Sequence, residues 1–369
     1  MEEWKEFKLE ELCIGKGAYG IGAPAVPFDV NKYTYLRITD IGDDGTINKK
    51  SLLSVDSPDA CNYLLERNDI VFARTGNSTG RSYFYDEKDG QLVYAGFLIK
   101  FSLDEEKVNP RILKYYTHSQ VYYDWINSFN NGSTRGNINA QTYGNMPIFL
   151  PPRIIQNKIV NILKSLDDKI ELNRQINDNL EQQAFTIFDE LFPNITDGEH
   201  KIEEWIKPKR GIGLLTKDAN KGDVPVVAGG LNPAAYHDKA NTSSPVVTIS
   251  ASGANAGYVA LWDIPVWSSD SSYIDASMTE NVYFWYVMLR KRQKEIFDAQ
   301  TGSAQPHIYP QHIAEMPIRQ IDEDLMRKYT EKVTPLFRLI GKRIEENIKL
   351  ASIRDTLLPR LMSGELKIS

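Results

Sequence analysis

Apolar residues recur at spacings of three and four along a central stretch of the chain, which predicts a long amphipathic helix. The stretch runs from Arg153 to Phe192 without glycine or proline. Pro151-Pro152 precedes it and Pro193 follows it, so the sequence also marks both ends of the helix. The spacing is typical of coiled-coil helices.

A second helical stretch is predicted from about Asp322 to Leu358, close to the end of the sequence. Thr334-Pro335 resembles a helix start inside this stretch, because proline favours the first position of a helix. Together with Gly341, this dipeptide predicts an interruption. The N-terminal part of the second stretch is therefore not expected to mirror the first helix.

An internal repeat precedes each helical stretch. Residues 132–148 and 302–318 align without a gap at a constant offset of 170, and seven of 17 positions are identical. Such self-similarity indicates two copies of one structural plan. The identical pairs are Gly132/Gly302, Ser133/Ser303, Ile138/Ile308, Gln141/Gln311, Met146/Met316, Pro147/Pro317 and Ile148/Ile318.

The segments upstream of the repeats match more loosely and predict two β-rich modules. Glu2-Glu3-Trp4 and Glu203-Glu204-Trp205 are aligned as their openings. In each, an apolar strand enters a glycine-rich turn, over Ile70–Gly80 and over Val246–Gly257. Short β-type runs broken by Gly, Pro, Asn and Asp favour a mixed α/β (α+β) fold of irregular sheet and loops.

The chain therefore has the order module, helix, module, helix. A 40-residue helix spans about 60 Å, too long to be buried inside one small domain. We expect the two helices to pack antiparallel as a coiled-coil spacer, with the modules at opposite ends and related by a pseudo-twofold axis. The predicted division is 1–150, 151–196, 197–318 and 319–369.

Asparagines fall on the apolar seam of the predicted helix pair. Asn173 and Asn177 lie on the first helix beside Ile170. At an offset of 174, Asn347 matches Asn173 and Ile344 matches Ile170. A buried asparagine at a seam fixes register and partner at a cost in stability. The alternative, which the sequence leaves open, is that these asparagines lie at the solvated edge of the seam.

Composition and charge narrow the function classes. Two cysteines, Cys13 and Cys61, are too few for a disulfide scaffold or a four-cysteine zinc site, and they suit a reducing cytoplasm. The acidic start is not a signal peptide, and no apolar run approaches the roughly 18 residues that span a bilayer. The net charge of −6 disfavours DNA binding in general, but local basic surface decides contact with phosphate.

The turn and repeat segments are rich in side chains that bind nucleic acid. Arginine bonds guanine edges, asparagine and glutamine bond adenine, and serine and threonine reach bases or phosphate. The same residue types also form ordinary turns, so each single contact is a hypothesis. The candidates are Arg74, Thr75, Asn77, Ser78, Thr79, Arg81, Ser133, Thr134, Arg135, Asn137, Asn139 and Gln141 in the first module, and Lys207, Lys209, Arg210, Ser250, Ser252, Asn255, Gln300, Thr301, Ser303, Gln305 and His307 in the second.

Several segments together resemble the specificity (S) subunits of type I restriction–modification systems. Leu166–Asn173 with Asn179–Glu181 resembles the central spacer of that family, and Leu357–Leu366 resembles its distal spacer. Gly229-Gly230 and Trp267–Asp270 resemble a pattern found in its target-recognition domains. The likeness covers nearly the whole chain, and the spacer motifs are its more specific part.

This resemblance implies a DNA-binding function without catalysis. Each module would be a target-recognition domain that reads one half of a bipartite, asymmetric site in double-stranded DNA. The helices would carry two methyltransferase (M) subunits, and restriction (R) subunits would join for ATP-dependent cleavage. S-adenosylmethionine, ATP and Mg²⁺ would then bind the partners, and this chain would hold no cofactor or metal. The expected location is cytoplasmic, with no membrane partner.

Catalytic motifs are weak or absent. Gly15–Gly20 fits G-x-G-x-x-G but lacks a βαβ context, so we interpret it as a loop that enters the first module. Asn232–Tyr236 departs from the Asn-Pro-Pro-Tyr of adenine methyltransferases. Two alternatives stay open: the specificity chain of a type IIB-like methyltransferase–nuclease, and a protein scaffold that does not bind DNA.

Overall fold

The computed structural model describes residues 4–49, 51–129, 137–302 and 305–366. Four predicted contact residues, Ser133, Thr134, Arg135 and Ser303, lie outside the described residues. The chain folds into two compact units, which we call unit 1 (Met1–Asp168 with Leu350–Ser369) and unit 2 (Lys169–Lys349). Each unit takes one part of both long helices, whereas the four-part division predicted above treats the helices separately and stays a prediction.

The strands are short, and most are two to five residues long. They are β1 (Lys5–Lys8), β2 (Ala18–Tyr19), β3 (Ala25–Val26), β4 (Tyr33–Leu36), β5 (Leu53–Val55), β6 (Asp69–Ala73), β7 (Ser82–Phe84), β8 (Leu92–Tyr94), β9 (Leu98–Ser102), β10 (Pro147–Leu150), β11 (His200–Lys201), β12 (Lys209–Arg210), β13 (Val224–Val227), β14 (Ala235–His237), β15 (Val246–Ser250), β16 (Val259–Trp262), β17 (Trp267–Ser268), β18 (Ser271–Asp275) and β19 (Pro317–Ile318).

The helices divide into short ones that cover the sheets and two long ones. They are α1 (Pro110–Tyr116), α2 (Gln120–Asn127), α3 (Ala140–Gly144), α4 (Arg153–Leu191), α5 (Val282–Lys291), α6 (Gln293–Asp298), α7 (Pro310–Ala314) and α8 (Glu323–Met362). The mixed α/β class and the two long helices are therefore confirmed. The predicted bounds of the first long helix agree with α4 to within one residue.

The interruption predicted in the second long helix is wrong. Helix α8 is continuous through Pro335 and Gly341. Proline leaves the carbonyl four residues earlier, that of Glu331, without an intrahelical donor. Both Glu331 and Pro335 are exposed, so water can satisfy this carbonyl. The buried side chains of Val333 and Phe337 anchor the helix on either side of the proline.

The two units contain matching sheets. In unit 1, a four-stranded sheet has the order β2-β9-β6-β7, and in unit 2 the order is β12-β18-β15-β16. A second sheet in each unit contains one parallel pair, β4 with β8 in unit 1 and β13 with β17 in unit 2. The repeated segment ends in a strand that pairs with the start of its own module, as β10 does with β1 and β19 with β11.

Each unit has its own core, and both long helices contribute to each. In unit 1, Leu163 of α4 and Leu361 of α8 are buried with the side chains of the sheet and of α1. In unit 2, Phe188 of α4 and Tyr329 of α8 pack around the buried Phe284 of α5. Each module is thus packed on its own section of the helix pair.

Candidate nucleic-acid interface

The glycine-rich turns predicted from the sequence form the same loop in both units. Loop 1 (residues 74–81) follows β6, and loop 2 (residues 251–258) follows β15. Gly80 donates its N–H to Ala73 O over 3.0 Å, and Gly257 donates to Ser250 O over 2.7 Å. The duplication therefore extends to individual backbone hydrogen bonds.

Glycine is required at two matched positions of each loop. Gly76 and Gly253 have φ of +74° and +83°, and Gly80 and Gly257 have φ of +90° and +86°. L-residues with a side chain rarely adopt these values. At Gly76 and Gly253 a Cβ atom would meet no heavy atom within 4 Å, so these positions face open space.

The end of each repeat segment lies beside its loop. Ile138 donates its N–H to Arg74 O, and Ile308 donates to Ala251 O, both over 2.9 Å. Isolated bridges pair Thr75 with Asn137 and Ser252 with His307. The segment that is most similar between the two halves is therefore the one that contacts the loops.

The alignment of the two module starts is wrong. The N–H of Lys8 donates to Glu11, and that of Lys201 donates to Glu204, each over 2.8 Å. Lys8 and Lys201 also pair with Pro147 and Pro317, which are equivalent in the repeat. Glu203-Glu204 thus corresponds to Glu10-Glu11, and not to the Glu2-Glu3 that the sequence alignment had paired with it.

Different side chains hold the two loops in place. In unit 1, the buried hydroxyl of Tyr122 donates to Gly80 O over 2.6 Å, and that of Tyr143 donates to Ala73 O over 2.9 Å. Burial raises the pKa of both phenols, so both remain donors at neutral pH. In unit 2, the side-chain amides of Gln293 and Gln300 donate to Gly257 O and Ala256 O, each over 2.7 Å.

The candidate residues of unit 1 that the structure describes mostly lie on the open side of loop 1. Asn77, Asn137, Asn139 and Gln141 are exposed, and Arg74, Thr75, Thr79 and Arg81 are partly buried. Several of them already have partners: Arg81 bonds Asp43 over 2.7 Å, the hydroxyl of Thr79 donates to Gly76 O over 2.8 Å, and Asn139 caps α3. Ser78 is buried, which disfavours contact of its side chain with a ligand.

The candidates of unit 2 separate in the same way. Lys207, Lys209, Arg210, Thr301 and Gln305 are exposed, and Ser252, Asn255 and His307 are partly buried. Ser250 is buried and donates to Ala228 O over 3.2 Å. Gln300 is one of the amides that hold loop 2. The placement of Ser250 and Gln300 therefore indicates loop support and not contact with a ligand.

Sequence reasoning missed three side chains beside the loops. Tyr19 is exposed, and the guanidinium of Arg74 lies 4.9 Å from the centre of its ring. Phe97 is 59% exposed and accepts the Arg74 N–H at its carbonyl. Asp270 bonds Arg210 over 2.6 Å and accepts the hydroxyl of Ser252. Tyr19 stands in the glycine motif interpreted as a loop, and Asp270 closes a segment that carried the family resemblance.

The asparagines of the helix pair form a hydrogen-bonded network in unit 2. Asn173 is fully buried, donates to Glu346 and Asn347 over 2.8 Å each, and accepts from Arg343 over 2.9 Å. The helix sections run antiparallel here. Tyr329 precedes Asn347 in α8, but it bonds the carbonyl of Ala184, which follows Asn173 in α4. The solvated-edge alternative is wrong for Asn173, whereas its role in fixing register stays a prediction.

The remaining residues predicted for the spacer are not equivalent in burial. Ile170 is buried, but Ile344, which matches it in sequence, is 49% exposed. Oδ1 of Asn177 is buried without a hydrogen-bond partner among the described residues. The sequence match at an offset of 174 therefore does not place both isoleucines on the seam.

The Gly15–Gly20 motif, which was interpreted from the sequence as a loop, is partly a strand in the structure. It contains the strand β2, which pairs antiparallel with β9. In the described ranges, no group of three His, Cys, Asp or Glu side chains is placed to hold a metal ion. Burial raises the pKa of the Cys13 thiol to about 12, so this thiol is protonated at neutral pH. None of the described helices is both long and apolar enough to cross a membrane.

The chain is thus a duplicated protein, whose two equivalent loops share one backbone geometry and differ in their exposed side chains. Residues 1–182 match the family model described as the type I restriction modification DNA specificity domain. The HindI specificity subunit of Haemophilus influenzae is 27% identical over 201 residues, which are 52% of this chain and 41% of that protein. The MjaIX specificity subunit of Methanocaldococcus jannaschii is 24% identical over 313 residues, which are 72% and 71% of the two chains.

The crystal structure of a type I restriction–modification S subunit from M. genitalium has the same fold. It aligns with a TM-score of 0.56 and 18% identity, and the alignment covers 100% of this chain and 97% of that one. The match to the HindI subunit spans less than half of that relative's length. The chain is therefore similar to type I restriction–modification specificity subunits, over residues 1–182 by family model and over its whole length by fold. The comparisons confirm the predicted resemblance to type I specificity subunits.

Proposed function

We propose that this chain is the subunit that recognises a bipartite, asymmetric DNA site, with one half-site bound by each module. The observation that carries the proposal is the pair of equivalent loops, each with a glycine that faces open space and each with its own side chains. A shared backbone places the loops alike, and different side chains select different bases. The match of residues 1–182 to a DNA specificity domain supports the same function.

The exposed candidates divide into those suited to phosphate and those suited to bases. Lys207 and Lys209 are exposed near β12 and would contact phosphate, although Lys207 lies 3.7 Å from Glu203. Asn77 in loop 1 and Asn137 beside it are exposed and would contact base edges. The net charge of −6 does not oppose this, because these side chains form local surface and phosphate responds to local charge.

We also propose that the helices bind two methyltransferase subunits. Apolar side chains remain exposed on the helix sections of unit 2: Ile344 at 49%, Ile348 at 65% and Leu172 at 49%. Ile344 and Ile348 are four residues apart, so they lie on one face of α8. The methyltransferase subunits would bind S-adenosylmethionine. Restriction subunits would bind ATP and Mg²⁺, hydrolyse the ATP and cleave the DNA.

The test is to express the chain with its methyltransferase partner and to map methylated adenines in the DNA. We expect one bipartite motif, and replacement of residues 1–150 by another module should change one half of it only. DNA binding by the complex should also weaken as salt rises, because phosphate contacts release counterions. Binding without base preference and without salt dependence contradicts the proposal.

Docking is tested separately with Ile348→Asp. A charge in an apolar contact is expected to reduce co-purification of the methyltransferase subunit, while circular dichroism of the variant chain stays unchanged. Lys332→Asp, at an exposed position of the same helix, is the matched control. Equal loss of the partner in both variants would show that the charge of α8 and not this apolar face is responsible.

A further inference from the structure

Three positions beside the loops are equivalent in the two units although no constant offset relates them in sequence. Arg74 donates its N–H to Phe97 O, and Ala251 donates to Asp270 O, each over 3.0 Å. Phe97 and Asp270 therefore occupy the same place. Only the turn before each residue differs in length. Gly96 and Phe97 precede β9 in unit 1, whereas Asp270 alone takes their place before β18 in unit 2.

The neighbouring strand supplies the third equivalence. Tyr19 of β2 pairs with Ile99 of β9, and Arg210 of β12 pairs with Ser272 of β18. The next residues agree as well, since Gly20 and Gly211 donate to the first residues of β9 and β18 over 3.2 Å and 2.8 Å. Unit 1 thus has Tyr19, Arg74 and Phe97 where unit 2 has Arg210, Ala251 and Asp270.

These substitutions give the two sites opposite chemistry. In unit 1, the Arg74 guanidinium lies over the Tyr19 ring, and Phe97 presents an apolar ring that has no hydrogen-bonding group. In unit 2, the Asp270 carboxylate accepts from Arg210 on Oδ1 and from Ser252 on Oδ2. It is also 37% exposed, so it can still reach a ligand.

A carboxylate in this place does not suit contact with phosphate, because the two are anions. The ion pair with Arg210 offsets this repulsion. Each carboxylate oxygen has two lone pairs, so Asp270 keeps one acceptor site on each oxygen after its two hydrogen bonds. Among base edges in the major groove, only the amino groups of cytosine and adenine donate hydrogen bonds to such an acceptor.

We propose that Asp270 selects a base with an exocyclic amino group in one half-site, and that Phe97 at the equivalent position selects thymine through its methyl group in the other. Arg210 and Ser252 act as positioning residues that orient the carboxylate. The inference rests on the proposed function, since it names the residues that make the two modules differ.

The test measures base preference with randomised half-sites, using the complex of the chain with its methyltransferase partner. Asp270→Asn is expected to reduce discrimination at one base pair of one half-site about tenfold and to leave the other half-site unchanged. Phe97→Ala is expected to reduce a preference for thymine about fourfold in the other half-site. The base that the wild-type complex prefers at this base pair distinguishes cytosine from adenine. If it is adenine, Asp270→Ala replaces Asp270→Asn as the test variant, because asparagine also bonds adenine.

Three controls keep the result interpretable. Asp324→Asn breaks an exposed Arg–Asp pair of α8 that lies 2.7 Å apart and should leave every preference unchanged. Asp270→Glu retains the charge, and it replaces Asp270→Asn as the test variant if Asp270→Asn lowers the Tm. If Arg210 positions Asp270, the losses of base discrimination caused by Arg210→Ala and Asp270→Ala should be non-additive at the same base pair. If Arg210 instead contacts phosphate, Arg210→Ala should change the salt slope of DNA binding by about one.

The outcomes separate the inference from the proposed function. If the wild-type complex has no base preference in either half-site, the proposed function fails. If the wild type has preferences and Asp270→Asn weakens binding to all sequences equally, the function stands and this inference is overturned. If either variant changes the base preference in both half-sites, the inference is also overturned, because the residue then does not act on a single half-site.

Discussion

The two modules keep the same loop backbone with different supporting side chains. Loop 1 is held by the phenols of Tyr122 and Tyr143, whereas loop 2 is held by the amides of Gln293 and Gln300. In both, the acceptors are loop carbonyls or carbonyls at the start of the loop. What the two loops share is therefore that their backbone carbonyls are hydrogen-bonded, and any well-placed donor can make these bonds. Side chains on the open side are free to differ.

The largest expected effect comes from breaking the core that unit 2 forms on the helix pair. Phe188 is buried and contacts the rings of Phe192, Phe284 and Tyr329. Phe188→Ala should lower the free energy of unfolding by about 3–5 kcal/mol through lost burial and a cavity. Hydrogen exchange should show the loss of protection mainly within Lys169–Lys349.

Leu163→Ala is the matched variant, because Leu163 is buried on the same helix in unit 1. Its expected cost is about 2–5 kcal/mol, with the loss of protection in unit 1. An equal loss of protection in both units from either variant would show that the units unfold together, and the comparison of two separate cores would then be wrong.

The sequence predicted those parts of the fold that depend on local patterns. The proline-bounded, glycine-free run predicted α4, and the gapless repeat correctly matched Asn137 with His307, which bridge Thr75 and Ser252. The equivalence of Phe97 with Asp270 was not predictable, because the turns before them differ by one residue and only strand pairing reveals it. The break at Pro335 was predicted wrongly because tertiary packing outweighs local propensity.

A smaller effect is expected from the charged contact that is specific to unit 1. Asp167 of α4 accepts from Lys114 and Tyr115 of α1 over 3.0 Å and from Arg354 of α8 over 3.1 Å. Burial alone would raise the pKa of Asp167, but Lys114 and Arg354 lower it below its usual value. Asp167→Asn should cost about 2 kcal/mol at neutral pH through weaker hydrogen bonds to charged groups.

The pH dependence of this cost follows from the direction of the shift. Because the folded-state pKa lies below the unfolded value near 4, the charged carboxylate contributes fully above about pH 4. Its contribution is lost as the pH falls through the folded-state pKa. The difference in Tm between wild type and Asp167→Asn should thus be largest at pH 7 and should shrink toward pH 3. A difference that grows on acidification contradicts the assignment.

The smallest effect tests whether the two loops share one backbone geometry. Gly76→Ala and Gly253→Ala place a side chain at positive φ, where the strain costs roughly 1–2 kcal/mol, and neither Cβ meets a neighbour within 4 Å. The two variants should therefore lower the Tm by the same amount. In contrast, Gly80→Ala and Gly257→Ala bring a Cβ to 2.7 Å from Ile126 and 2.9 Å from Ile296. Each should therefore cost more stability than the variant at the other glycine of the same loop. Unequal losses for Gly76→Ala and Gly253→Ala would show that the loops differ in backbone as well as in side chains, and the difference between the half-sites could then no longer be assigned to side chains alone.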